Sequence, residues 1–474
     1  MVSNTIWVSI DKFSYMAIQL IGTFVLGRFL LPEDFGVLGM LTVFTAVSLT
    51  LVESGFPSAL VREKNVTNLD YSSVFWFNFI FALVLYAILF FSASLIASFF
   101  RLPILKDVSR AAFLVIPLTA LSLVQTAICT RNLQFKKLCI ISVSSSLLSS
   151  IIAIFFAYYY RNVWALVLQN VLTFFFKTML LWFFSSWHPS IRFSLNSLKK
   201  FYLFSKNLLF SGLISNIFNN IYSVFIGRFY TPTDLGYYSQ ASRLNSSISL
   251  NLTSVIQGVS YPILVSVEND GNNIKEAYKK IICVTVLFVG FVMALIMGVS
   301  FDLFELLMGS HVWRVAGSYL FIMCINGILF PLHSINQNIL LVKGDSKTVL
   351  KLELLRRSIM ICIIIVTLNF NILVFVCGNA VYSILLLFIN LYYCGRPIQY
   401  TVTQQLKDVS PILFRLAIMV VISLVVSWFL SQSSIFLRVS VSFFSSLMVG
   451  VFLFWKNSYV KETFTILKRI AIKR

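Results

Sequence analysis

Two runs of polar residues are spaced to act together. Asn216, Asn219, Asn220 and Ser223 fall at i, i+3, i+4 and i+7, and Gly236, Gln240, Arg243, Ser247, Asn251, Ser254 and Gly258 follow at intervals of three or four. On an α-helix each set occupies one face. Both runs lie inside long apolar segments, and in lipid such a face must meet protein or water. The chemistry open to amides, hydroxyls and a guanidinium is recognition rather than bond making. A water-filled, net cationic cavity is one reading; amide stripes that glue membrane helices together are the other. Gln169, Thr173 and Lys177 make a shorter face of the same kind, as do Asn326, His333 and Gln337. Lys177 suits a cavity or a snorkelling position, whereas Arg356, Arg357, Arg415 and Arg438 read as snorkelling anchors. Among carboxylates inside the apolar segments, Asp11 neighbours Lys12, and Asp302 and Glu305 lie near one segment's outer end. Glu53, just before Ser54-Gly55-Phe56-Pro57, is the candidate site for a coupling ion or proton. Pairing with Arg62, or reach to lipid headgroups, also accounts for it.

The elements that must position these residues are membrane helices. Of the 474 residues 58% are hydrophobic and 11% charged, against about a quarter charged in soluble domains. A helix needs about 20 apolar residues at 1.5 Å each to cross about 30 Å of hydrocarbon. Segments of that length fall near 8–30, 36–60, 73–100, 110–130, 139–160, 163–186, 204–229, 236–265, 281–307, 315–342, 358–376, 374–394, 411–431 and 435–455. The expectation is an all-α integral membrane protein of about 14 transmembrane helices. A barrel of short alternating strands is excluded. The eleventh and twelfth segments are divided only by Asn369-Phe370-Asn371.

An internal repeat organises them. Gly27-Arg28-Phe29-Leu30-Leu31-Pro32-Glu33-Asp34-Phe35-Gly36 returns 200 residues later as Gly227-Arg228-Phe229-Tyr230-Thr231-Pro232-Thr233-Asp234-Leu235-Gly236, with six of ten positions identical. Such self-similarity fixes architecture before any single residue is interpreted. Each repeat holds an even number of crossings, so the halves are parallel repeats. The implied organisation is an N-lobe of six helices over 1–187, a cytoplasmic amphipathic linker over 188–203, a C-lobe of six over 204–394, two further helices over 395–455, and a basic cytoplasmic tail over 456–474. Within the repeat, Pro32 suits a first helical turn, with Glu33 and Asp34 at that helix's positive end. A capped helix hairpin explains every residue of the motif, and Arg28 and Arg228 guarding the outer mouth of a cavity is the functional alternative.

Formal net charge is +20. The basic residues gather in alternate short loops, which is the signature of topology and places both termini in the cytoplasm. Nucleic acid is excluded as a partner, since no soluble basic face carries it. The N-terminal segment reads as a retained helix rather than a signal peptide. Cys129, Cys139, Cys283, Cys324, Cys362, Cys377 and Cys394 lack metal-type spacing, and His188, His311 and His333 are widely separated. With no Gly-rich phosphate loop either, no cofactor, metal or enzymatic activity is expected.

The repeat motif, together with Gly55-Phe56-Pro57-Ser58-Ala59-Leu60-Val61-Arg62, Ser73-Val74-Phe75-Trp76-Phe77-Asn78, Arg131-Asn132-Leu133-Gln134-Phe135-Lys136 and Leu235-Gly236-Tyr237-Tyr238-Ser239, resembles the polysaccharide-transporter branch of the multidrug/oligosaccharidyl-lipid/polysaccharide exporter superfamily. The likeness spans roughly residues 1 to 400. It implies an O-antigen, capsule or exopolysaccharide flippase of the bacterial inner membrane, moving an undecaprenyl-diphosphate-linked oligosaccharide between leaflets by alternating access. It implies too that helices 1, 2, 7 and 8 frame the cavity, and that membrane lipids, a polysaccharide polymerase and chain-length machinery are partners. On that resemblance Arg243 would contact the diphosphate, helped by Lys12 or Lys177, because guanidinium matches phosphate with a planar fork of donors. Asn216, Asn219, Asn220 and Gln240 would contact sugar hydroxyls. The nearest rival within the superfamily is a cation-coupled drug antiporter, expected to carry carboxylates in its cavity; the peptidoglycan-precursor flippase is a second, with similar chemistry, which the branch-specific stretches disfavour. A membrane glycan polymerase or acyltransferase would need catalytic groups and a larger extramembrane loop.

Overall fold

The computed structural model describes residues 2–53, 55–269 and 273–455, and all regular structure among them is helical. The helices are α1 (Val2–Gly27), α2 (Pro32–Glu53), α3 (Phe56–Arg62), α4 (Asn68–Phe100), α5 (Leu105–Ala112), α6 (Val115–Arg131), α7 (Phe135–Tyr160) and α8 (Trp164–Phe184). After them come α9 (Leu195–Phe229), α10 (Pro232–Asn269), α11 (Ile274–Met308), α12 (Arg314–Val342), α13 (Ser346–Thr367), α14 (Ile372–Gly395), α15 (Val402–Phe429) and α16 (Ile435–Phe454). Taking α2 with α3 and α5 with α6, twelve spans among the described residues are long and apolar enough to cross a membrane. The expected fourteen is reached when α1 and α13 are added: they have 26 and 22 residues but carry Asp11 and Lys12, and Glu353, Arg356 and Arg357, within them.

The outward faces suit lipid. Phe91, Phe183 and Phe452 are each about four-fifths exposed, a cost in water that vanishes in hydrocarbon. Tyr158, Tyr159 and Tyr160 are exposed together at the end of α7, where aromatic rings settle at a membrane interface. Between helices the buried residues are often small and hydroxylated, as with Ser145, Ser146 and Ser149 on α7, which lets membrane helices approach closely.

Packing separates the chain into two compact units, Met1–Ser239 and Gln240–Arg474. The division falls inside α10 rather than at the 188–203 segment, because α9 packs within the first unit against α2, α3 and α4. In that unit α1 lies on α7, α7 on α8, and α6 between α4 and α8; in the second, α11 is central to α12, α15 and α16, and α14 joins α12 to α13.

Local chemistry explains where helices begin and end. Pro32 and Pro232 open α2 and α10, where a missing N–H costs nothing. The 36–60 segment is broken because Gly55 takes φ 72°, a left-handed turn, and Pro57 then stands at the start of α3. Ser194 caps α9, accepting from the Ser197 amide at 3.4 Å, so the second half of the expected linker is the first turns of α9. The eleventh segment begins twelve residues earlier than its apolar run, at Ser346 rather than 358, since charged residues paired along α13 continue the helix. The basic tail, 456–474, lies outside the described residues.

Candidate functional site

In the first unit the two copies of the repeat motif meet each other. A Cβ added to Gly36 would lie 1.8 Å from the carbonyl oxygen of Pro232, and one added to Gly236 would lie 1.8 Å from that of Pro32. The contact is reciprocal, so α2 and α10 cross backbone to backbone at their first turns, which only glycine allows. The acidic residues of the motif cap the same turns: the Leu31 amide donates to Asp34 Oδ2 at 3.0 Å, and the Thr231 amide donates to Asp234 Oδ2 at 3.3 Å. The arginines of the two copies differ. Arg28 is exposed beyond the end of α1. Arg228 donates to the Phe99 carbonyl at 2.5 Å and its guanidinium sits 5.2 Å from the centre of that ring, so it ties α9 to the end of α4.

The amide stripe of α9 divides similarly. Asn216 Nδ2 donates to Thr50 Oγ1 at 2.7 Å, joining α9 to α2, and Asn220 Nδ2 donates to the Asn216 carbonyl at 2.8 Å. Both are half-buried, whereas Asn219 is exposed. On α8, Gln169 donates to Ser150 at 3.1 Å and Thr173 shares a 2.7 Å bond with Ser149, while Gln19 of α1 donates to Ser146 at 3.1 Å. These neutral bonds form a seam along α1, α7 and α8.

Lys177 continues the face of Gln169 and Thr173 but joins charged groups instead. It interacts electrostatically with Asp11 of α1 and with Glu53 at the end of α2. Asp11 also accepts a hydrogen bond from Ser142 and feels Lys12 beside it. The structure thus brings together Lys12, Lys177 and Glu53, which lie far apart in sequence. Lys12 and Glu53 are exposed and Lys177 is half-buried.

In the second unit Gln240 is buried at 6% exposure and Arg243 is half-buried, one turn further along α10. Two charge clusters here escaped the sequence reading. Arg356 Nη2 donates to Asn390 Oδ1 at 2.6 Å, and Asn390 Nδ2 bonds His333 Nδ1 at 2.9 Å. Glu353 accepts from Arg357 at 2.5 Å and lies 3.6 Å from Arg356. Arg438 sits 2.8 Å from Asp302, whose carboxylate also accepts from Ser427 at 3.0 Å. Arg356, Arg357 and Arg438 have side chains only 11%, 17% and 11% exposed, so they are not snorkelling anchors. The available signal was Glu353 at three and four residues before two arginines, a favourable helical spacing. Asn326 and His333 of α12 are likewise used between helices, bonding Asn379 and Asn390 of α14. Among the described residues no group of three or more His, Cys, Asp or Glu is placed to hold a metal ion.

These features define a multi-pass helical membrane protein whose polar groups lie between its helices. Residues 25–318 match the family model described as "Polysaccharide biosynthesis protein". The chain belongs to that family, and so to the polysaccharide-transporter branch of the exporter superfamily that its motifs resemble. The teichuronic acid biosynthesis protein TuaB of Bacillus subtilis (strain 168) is 24% identical over 72% of this chain and 71% of its own length. The succinoglycan biosynthesis transport protein ExoT of Rhizobium meliloti (strain 1021) is 26% identical over 69% of this chain and 66% of its own length. The lipid II flippase MurJ in its inward closed conformation shares the fold, with a TM-score of 0.72, 14% identity, and coverage of 96% of this chain and 99% of that one.

Proposed function

We propose that the protein is a flippase that carries an undecaprenyl-diphosphate-linked oligosaccharide repeat unit from the inner to the outer leaflet of the bacterial inner membrane by alternating access. It has no enzymatic step, holds both termini in the cytoplasm, and hands its cargo to a polysaccharide polymerase and chain-length machinery. The observation that carries this reading is family membership over residues 25–318; the names of two relatives, in teichuronic acid biosynthesis and succinoglycan transport, point the same way.

The residues supply the physics. A sugar–diphosphate headgroup crossing about 30 Å of hydrocarbon needs donors, acceptors and positive charge along its route. Arg243 holds the diphosphate through its forked donors. Gln240 of the second unit and the exposed Asn219 of the first each suit sugar hydroxyls, while Asn216 and Asn220 of the first are engaged with Thr50 and with each other. Lys177, set between Asp11 and Glu53, is the group whose partners exchange a proton or cation as the cargo moves. In cells lacking other flippases, Arg243→Ala abolishes surface polysaccharide and leaves lipid-linked repeat units on the inner leaflet; unchanged surface polysaccharide would sink the assignment.

The nearness of Asp11 and Glu53 to Lys177 also suits a cation-coupled antiporter. Efflux of a lipophilic cationic dye from vesicles, abolished by Glu53→Gln, would favour that second reading over the flippase.

A further inference from the structure

Below Arg243 on the same face of α10 the second unit contains a pocket of about 340 Å³ lined by Ser254, Gln257, Gly258 and Tyr261 of α10 and by Asn338 and Leu341 of α12. That volume is within the range of small-ligand sites, about 300 to 1,000 Å³. No charged side chain lines it.

Its amides are held in position by one another. Gln257 Nε2 donates to Asn338 Oδ1 at 3.3 Å and to the Ser334 carbonyl at 3.4 Å, Ser334 Oγ donates to Gln257 Oε1 at 2.7 Å, and Asn338 Nδ2 donates to Ser260 Oγ at 3.1 Å. An amide offers two donors and two lone pairs, so Asn338 keeps one N–H and one lone pair, and Gln257 one lone pair, after these bonds. Asn338 is 3% exposed and forms the base, while the Tyr261 ring is 40% exposed at the edge. A Cβ on Gly258 would meet nothing within 4 Å, so the wall is open where that residue stands.

Position adds a second constraint. Gly258 lies 26 residues beyond Pro232, about 39 Å along a helix and therefore past a hydrocarbon core of about 30 Å. An upright helix entering at Pro232 therefore carries the pocket toward the far membrane surface, within the C-terminal half of α10 (Pro232–Asn269), with the ion pair of Lys343 and Glu268 at 2.6 Å further along that helix.

We propose that this pocket is a subsite for an uncharged sugar residue of the glycan, engaged at the loading face before translocation. Fixed amides with spare donors and acceptors, a hydroxyl and an aromatic ring suit a pyranose, which presents hydroxyls on its rim and C–H bonds on its face. Phosphate is disfavoured because no cation lines the wall. Arg243 lies 15 residues up the same stripe, about 22 Å away, so the sugar held here is distal to the diphosphate. This inference rests on the flippase reading above.

The test uses the full chain in lipid nanodiscs, titrated with undecaprenyl-diphosphate-linked repeat unit and separately with undecaprenyl diphosphate alone. Wild type binds the glycolipid about tenfold more tightly, the equivalent of one or two well-placed hydrogen bonds. Gly258→Leu, which fills open space without touching the amide bonds, and Asn338→Ala both erase that tenfold preference and leave the bare lipid's affinity unchanged. Gly258→Leu retains the test if Asn338→Ala does not fold. Undiminished preference for the glycolipid in Gly258→Leu overturns the subsite alone, as does an equal loss for both lipids. Binding of neither lipid by wild type overturns the flippase reading and the subsite with it.

Discussion

The two units spend their charges differently. In the first, helices are joined by neutral bonds such as Asn216 to Thr50 and Gln169 to Ser150, and by the backbone crossing at Gly36 and Gly236. Its ion pairs include Arg110 with Asp107 at 3.8 Å and Lys200 with Glu63 at 3.3 Å, on side chains 31% to 70% exposed. In the second, Arg438 with Asp302 and the Arg356 and Arg357 pair with Glu353 are largely enclosed between helices. Arginine keeps its proton in any protein environment, whereas lysine and carboxylate exchange theirs when buried or paired. The second unit therefore uses permanent charge as structure. In the first unit the cation near two carboxylates is instead a lysine, Lys177, which interacts with Asp11 and Glu53.

The largest effect should come from the neutral side of that contrast. Gly36→Val places side-chain atoms where a Cβ alone would be 1.8 Å from the Pro232 carbonyl, and it should lower stability by roughly 3 kcal/mol or more. Because the contact is reciprocal, Gly236→Val should cost as much; thermal unfolding in detergent that separated the two sharply would mean the crossing is not symmetric. Next in size is Arg438→Met, which leaves Asp302 buried without its closest cation and should cost about 3 kcal/mol. Adding Asp302→Asn should recover much of that loss. Failure of the double variant to recover would show that the pair does not act as a unit.

The glycines of the repeat illustrate how far the sequence carries. Their spacing and the flanking Pro32 and Asp34 correctly announce a tight, capped turn, because those preferences are local. That each glycine receives the other copy's proline carbonyl depends on a contact 200 residues away in sequence, which no local preference encodes. Polar periodicity placed the α8 face, yet it could not separate Gln169 and Thr173, which bond α7, from Lys177, which faces carboxylates. Hydropathy misplaced the start of α13 because it penalises Glu353, Arg356 and Arg357 singly, although paired at i+3 and i+4 they are inside the helix. The subdivision of the candidate site was hidden for the same reason throughout: side-chain type reports what a residue can bond, and only packing decides what it does bond.

A smaller effect tests the neutral seam directly. Asn216→Ala and Thr50→Ala should each cost about 1 kcal/mol, the net worth of one hydrogen bond, and the double variant should cost little more than either. Additive losses would mean that the 2.7 Å bond between them contributes nothing.

The smallest effect compares two helix caps. Ser194 caps α9 with a neutral hydroxyl; Asp345 caps α13 with a carboxylate that accepts from the Thr348 amide at 3.1 Å and its hydroxyl at 2.6 Å. Those bonds hold the Asp345 carboxyl below its ordinary range. A depressed carboxyl adds stability above its unfolded value, about 3.9, and loses it as pH falls through the lower folded value. Acidification below about pH 4 should therefore speed hydrogen exchange at the Thr348 amide relative to the Ser197 amide, after correction for intrinsic rates. Asp345→Asn keeps an acceptor for the amide but cannot titrate, so it should remove that difference. If the Thr348 amide responded to acid equally in the Asn variant, its protection would owe nothing to the carboxylate, and the second unit's reliance on charge would stop short of its helix ends.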